Sequence, residues 1–152
     1  PETTPEKRVS ALFHDIGHLL YKEPLDPKHG VNDFHEYVGS EFLKTMGFKK
    51  AVWVPVSLHV DAKRYLSTEY RYILSPASKM TLELQGGKMT SEEKSRFLAN
   101  PFHWDAIVLR ICDDKSKNMS HEELDRVEME QILHDISKSL STGSKAEDHS
   151  DD

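Results

Sequence analysis

Apolar positions recur every three or four residues along most of this chain, the spacing of amphipathic helices. The first stretch, 6–21, places Val9, Leu12, Phe13, Ile16, Leu19 and Leu20 at helical intervals. Residues 22–32 (KEPLDPKHGVN) hold two prolines and a glycine and predict a loop. Asp33 can cap a helix over 34–46, which carries Phe34, Val38, Phe42 and Leu43 and stops at Gly47. A third helix is predicted over 50–66, through Val52, Val56, Leu58 and Tyr65. Its β-branched opening, 51–56, resembles a strand, but Pro55 near the start is tolerated early in a helix. Ser75-Pro76 starts a short helix to about Leu84, and Gly86-Gly87 stops it. Thr90-Ser91-Glu92-Glu93 has the pattern of a capping box. Asn100-Pro101 opens a helix through Asp114, and 120–139 forms the last. The pattern predicts an all-α helical bundle.

Composition narrows the picture. The chain has 152 residues, enough for one domain. Residues 143–152 (GSKAEDHSDD) hold one lysine and four acids, and predict a disordered acidic tail behind a domain over 1–142. No apolar run approaches the roughly 20 residues of a membrane span. The opening PETTPEKRVS has no basic-then-apolar leader, so a cytoplasmic protein is expected. The net charge of −6 argues against a nucleic-acid partner. Oligomeric state is open. One cysteine, Cys112, against nine histidines excludes a thiolate-rich zinc site and leaves imidazole and carboxylate as metal donors.

The histidines carry the candidate chemistry. His14-Asp15 lies in the apolar segment ALFHDIGHLL, where an unpartnered charge is costly. His18 follows at i+4, on the same face of a continuous helix. Gly17 between them costs about 1 kcal/mol relative to alanine and suggests a close approach by a neighbour. His35 and His59 sit on the next two helices, and Asp113-Asp114 ends another. Chance alone predicts roughly one His-Asp pair in a chain of this composition. The second pair, His134-Asp135, therefore serves as an internal control, and its substitution is expected to change neither metal binding nor activity.

His14-Asp15, His35, His59 and Asp113 on successive helices match all but the first member of the order His, His-Asp, His, His, Asp, and so resemble the HD-domain superfamily of metal-dependent phosphohydrolases and oxygenases. ALFHDIGHLL, FHEYVGSEFL, SLHVDAKRYL, LSPASKMTLELQGGKMT and VLRICDDKSK resemble its mixed-valent diiron oxygenase branch. Within that branch they are most similar to enzymes acting on 2-amino-1-hydroxyethylphosphonate and its trimethylammonio relative. The resemblance implies an HD-domain bundle holding two Fe ions, as Fe(II)/Fe(III). Asp15 would bridge them, His35 and His59 would complete one, and His14 and Asp113 would belong to the other. The family has a sixth ligand, a histidine about two dozen residues before the His-Asp pair. No histidine precedes His14, so a first metal-binding helix is expected to be missing upstream.

The same matching assigns a catalytic group of Asp15, His18 and Lys63. It assigns substrate contacts to His18, Lys63, Ser78, Thr81 and Arg110, the last as a bidentate fork for a phosphonate. Read without the resemblance, Arg110 is a salt-bridge partner of Asp114, Ser78 a helix cap and Lys63 a solvated residue. Tyr65, Tyr70 and Tyr72 could line a wall around a quaternary ammonium. The implied reaction consumes O2 and a small anionic phosphonate, cleaves its C–P bond, and releases phosphate and glycine. The alternative is an HD phosphohydrolase using manganese or another divalent metal on a nucleotide or small phosphate ester.

Overall fold

The computed structural model describes residues 4–21, 30–70, 72–116 and 126–140. Among them the chain is all-α. It forms α1 (Pro5–Phe13), a short 3-10 helix (Ile16–Leu19), α2 (His35–Thr45), α3 (Lys50–Glu69), α4 (Pro76–Leu84), α5 (Ser91–Ala99), α6 (His103–Ser116) and α7 (Arg126–Ser139). None of these helices is long and apolar enough to cross a membrane. Most of the loop expected over 22–32, the start of the last helix and the acidic tail lie outside the described residues.

Local signals explain most boundaries. The Thr4 hydroxyl accepts the Lys7 N–H, with Pro5 in the first turn. Ser75 caps α4 in the same way, again with a proline after it. Thr90 and Glu93 form a complete capping box at α5. The β-branched run 51–56 is helical, as the pattern predicts. Pro55 sits in the second turn of α3 and cannot donate to the Ala51 carbonyl. Ser10 on α1 lies against this weakened turn, donating to Val52 O at 2.8 Å and lying 3.5 Å from Ala51 O.

α3 is the central helix and packs on α1, α2, α5 and α6; α7 lies on α1. One core joins Val9, Leu43, Val52 and Val56, with Phe13, Phe48, Trp53 and Ile136 around it. The other joins Ala62, Leu66, Met89, Phe97, Ala106 and Ile107. Each large apolar side chain buried there contributes about 1.5–3 kcal/mol. The first core clamps α1 and α2 to α3, and so sets His14 and His35 relative to His59.

The structure corrects two expectations. The helix expected over 6–21 stops at Phe13, and His14 and Asp15 occupy a turn before the 3-10 helix. The cause is close packing on α2. A Cβ on Gly17 would overlap the carbonyl oxygen of His35, and one on Gly39 would lie 3.1 Å from the Gly17 nitrogen. Past the break, Leu19 and Leu20 face outward. Secondly, α2 begins at His35, not Phe34, because Phe34 takes a left-handed conformation (φ 51°). Asp135, of the control pair, has a structural partner. It is buried, and accepts hydrogen bonds from Arg8 Nε at 2.5 Å and Nη2 at 2.9 Å, tying α7 to α1.

Candidate metal centre

The turn at His14-Asp15 points its two side chains into the space between α2, α3 and α6. His35 comes from the first turn of α2, His59 from the middle of α3, and Asp113 from late in α6. The two oxygens of Asp15 face different groups. Oδ2 lies 3.2 Å from His14 Nε2, which also lies 3.2 Å from Asp113 Oδ1. Oδ1 lies 3.3 Å from His35 Nε2, 3.6 Å from His59 Nε2 and 3.8 Å from His18 Nε2. His14, Asp15 and Asp113 thus form one set of ligand atoms close enough to share an ion, and Asp15, His18 and His35 a second. Loss of the continuous helix puts His18 in the 3-10 helix, where its ring stacks on His35 with centroids 3.9 Å apart.

All four imidazoles are anchored by Nδ1. His14 Nδ1 meets Ala11 O at 2.7 Å, and His59 Nδ1 meets Val56 O at 2.6 Å. His35 Nδ1 meets Asp33 Oδ1 at 2.9 Å, and His18 Nδ1 meets Asp33 Oδ2. Carbonyl and carboxylate oxygens only accept, so each ring carries its hydrogen on Nδ1. In the neutral form, each Nε2 then presents a lone pair inward. His35 Nε2 and His59 Nε2 face each other at 3.0 Å, an arrangement of two lone pairs that a cation would relieve. His14 Nε2 is buried between the Asp15 and Asp113 carboxylates, 3.2 Å from an oxygen of each. This donor set, nitrogen and oxygen without thiolate, suits a hard or borderline metal ion.

In the metal-free centre the rings differ: His59 is neutral near pH 7, whereas His14 is held protonated between Asp15 and Asp113. Partial enclosure works to raise the Asp15 carboxyl, but bonds from His14, His35 and His59 hold it far below the usual carboxylate range. Burial lowers His59 to about 4, so this ring is neutral near pH 7. Burial also works to lower His14, but Asp113 and Asp15 outweigh it and push the ring up to about 10. Asp15 stays half exposed (48%), so the centre opens to solvent on one side.

Beside this cluster lies a group of cationic and hydroxyl side chains. Lys63, one turn beyond His59, is buried and donates to Thr81 Oγ1 at 2.8 Å. Arg110 is buried and donates through Nη2 to Ser78 Oγ at 3.1 Å. The expected fork is partly committed. Arg110 Nε and Nη2 hold Asp114 at 3.1 and 2.6 Å, which leaves Nη1 turned toward Asp113 at 3.7 Å. Tyr72 donates to the same Asp114 at 2.5 Å. Asp113, not Asp114, is therefore the carboxylate facing His14. Tyr65 packs on Phe97 at the second core, and Tyr72 is held by Asp114.

Asp33 does more than the helix capping that the sequence predicts. It reads as a helix cap, yet its carboxylate holds two histidines. A signal exists: in NDFHE, an acid two residues before a histidine can fold back onto it.

No family model matches the sequence. Over 119 residues the chain is 45% identical to the hydroxymethylphosphonate dioxygenase of Gimesia maris, spanning 75% of this chain and 59% of that protein. Over 118 residues it is 38% identical to the 1-hydroxy-2-(trimethylamino)ethylphosphonate dioxygenase (glycine-betaine-forming) of Leisingera caerulea, spanning 75% and 60%. An uncharacterized protein of Acanthamoeba polyphaga mimivirus is 38% identical over 117 residues, spanning 74% and 53%. The chain is thus related to proteins named as phosphonate dioxygenases, and spans a little over half the length of these relatives.

Proposed function

We propose that this chain carries the metal centre of an oxygenase that cleaves the C–P bond of a small 1-hydroxyphosphonate with O2. The substrate is 2-amino-1-hydroxyethylphosphonate or a close analogue, and the products are phosphate and, for that substrate, glycine. The observation that carries the reading is the ring of four Nδ1-anchored imidazoles facing the two oxygens of Asp15. The named relatives support it: both act on a phosphonate, and both substrates named carry a hydroxyl on the carbon that bears phosphorus.

Asp15, His35 and His59 would hold one ion, and Asp15, His14 and Asp113 the other. When bound, the metal pair supplies the electron exchange with O2 that protein side chains cannot. The chain's residues do the rest. Lys63 and Arg110 offset the phosphonate charge, Lys63 through its ammonium and Arg110 through the Nη1 side that Asp114 leaves open. Ser78 and Thr81 supply hydroxyl hydrogen bonds beside them. Asp114, braced by Tyr72, orients Arg110. His18 sits next to the metal-facing ring of His35, where it can contact the substrate hydroxyl. Stoichiometry balances, since one O2 supplies one oxygen atom to the carboxylate product and one to phosphate.

The test is aerobic incubation of iron-loaded protein with 2-amino-1-hydroxyethylphosphonate, hydroxymethylphosphonate and the trimethylammonio analogue in parallel, assayed for phosphate and the organic acid. O2-dependent phosphate release from any of the three supports the oxygenase, and glycine identifies the amino substrate. Phosphate release from a phosphate ester under nitrogen, with no turnover of the phosphonates in air, would overturn it in favour of a hydrolase.

A further inference from the structure

We infer that Asp33 is the positioning residue of the centre, fixing with one carboxylate both a metal-facing imidazole and the imidazole stacked beside it. The inference rests on the metal reading above and adds a role that neither helix capping nor the ligand set contains.

The geometry is specific. Phe34 adopts the left-handed conformation, unfavourable for a bulky residue. Asn32 Oδ1 accepts the Phe34 N–H at 3.1 Å and supports that turn. The turn brings the Asp33 side chain back over the start of α2. There Oδ1 accepts two hydrogens from one residue, the His35 backbone N–H at 3.1 Å and Nδ1–H at 2.9 Å. Oδ2 accepts the Nδ1–H of His18. Tyr21 donates its hydroxyl to the Asp33 carbonyl and closes the segment from the other side. The two rings lie nearly parallel, 20° apart, with both Nε2 atoms toward Asp15 Oδ1. A carboxylate has no hydrogen to give, so neither ring can take the Nε2–H tautomer without losing its anchor. One side chain therefore sets the tautomer and pitch of both.

Two substitutions separate this from a generic structural role. In Asp33→Asn the amide oxygen faces the two donors of His35, and the amide NH2 faces His18. His35 keeps Nδ1–H, while His18 switches to Nε2–H. In Asp33→Ala both anchors go, and Fe(II) affinity measured anaerobically falls about 10–100-fold, the usual cost of losing a hydrogen-bond partner behind a ligand. Asn at this position should change Fe(II) affinity by no more than a few fold. Long-range 1H–15N spectra of the metal-free proteins read the tautomers directly. Nδ1–H on His18 in the Asn variant, or wild-type Fe(II) affinity in the Ala variant, would overturn the inference. If the Ala variant does not fold, the Asn tautomer still decides. If wild-type protein binds no Fe(II), the proposed function fails, and the metal-free tautomers still test Asp33 independently.

Discussion

The chain contains the dipeptide His-Asp twice, and the two copies do different things. His14-Asp15 lies at a break between helices, and its side chains meet His18, His35, His59 and Asp113 from other elements. His134-Asp135 lies within the continuous helix α7. There Asp135 turns inward to Arg8, and His134 stays exposed. Adjacent residues on a regular helix point about 100° apart and rarely serve one centre. A turn removes that constraint. What the first pair can hold thus depends on where the helix stops and what packs against the stop.

Substitutions at and around the two pairs should separate them. Asp15→Ala removes the carboxylate that faces both ligand sets, and should abolish iron binding and turnover; iron analysis after anaerobic loading measures it. Gly17→Ala comes next. Its methyl group would collide with the His35 backbone, so about 3 kcal/mol or more of stability should be lost, with iron binding impaired in whatever folds. Denaturant titration and metal analysis read the two effects. Asp114→Asn leaves both ligand sets intact but loosens Arg110. Substrate KM should rise about tenfold, the worth of one charge-assisted hydrogen bond, at unchanged iron content.

The second pair gives the smaller effects. Asp135→Asn should leave iron content and turnover unchanged while lowering Tm by several degrees. The Arg8 hydrogen bonds hold the Asp135 carboxyl down at about 2, below its unfolded value near 4. Its contribution is therefore complete above pH 4 and disappears as pH falls through 2. The Tm gap between wild type and Asp135→Asn should be constant from pH 7 to 5 and close toward pH 2. His134→Ala, on an exposed side chain, should be silent in every one of these measurements.

Legibility tracks range along the chain. Thr90 and Glu93 lie three residues apart, and their capping box forms as the pattern predicts. Ser75-Pro76 and Gly86-Gly87 bound α4 for similarly local reasons. The single helix predicted over 6–21 does not form because, although its apolar spacing continues through Leu20, α2 imposes a break from some twenty residues later. Arg110 has two readings from sequence, a salt bridge to Asp114 or a substrate fork. The bridge is present in the structure, and it narrows the fork to one side.

By itself, the sequence determined the helices, their caps, and the set of imidazoles and carboxylates available to a metal, because periodicity and donor chemistry are written in short stretches. Tertiary structure decided which of them meet. Gly17 against the His35 carbonyl, Asp33 behind two histidines and Asp135 on Arg8 are contacts between distant segments, fixed by close packing and by each buried donor's need for an acceptor. The inward face of His18 and His35 follows from Asp33, and that of His14 and His59 from backbone carbonyls three residues before each.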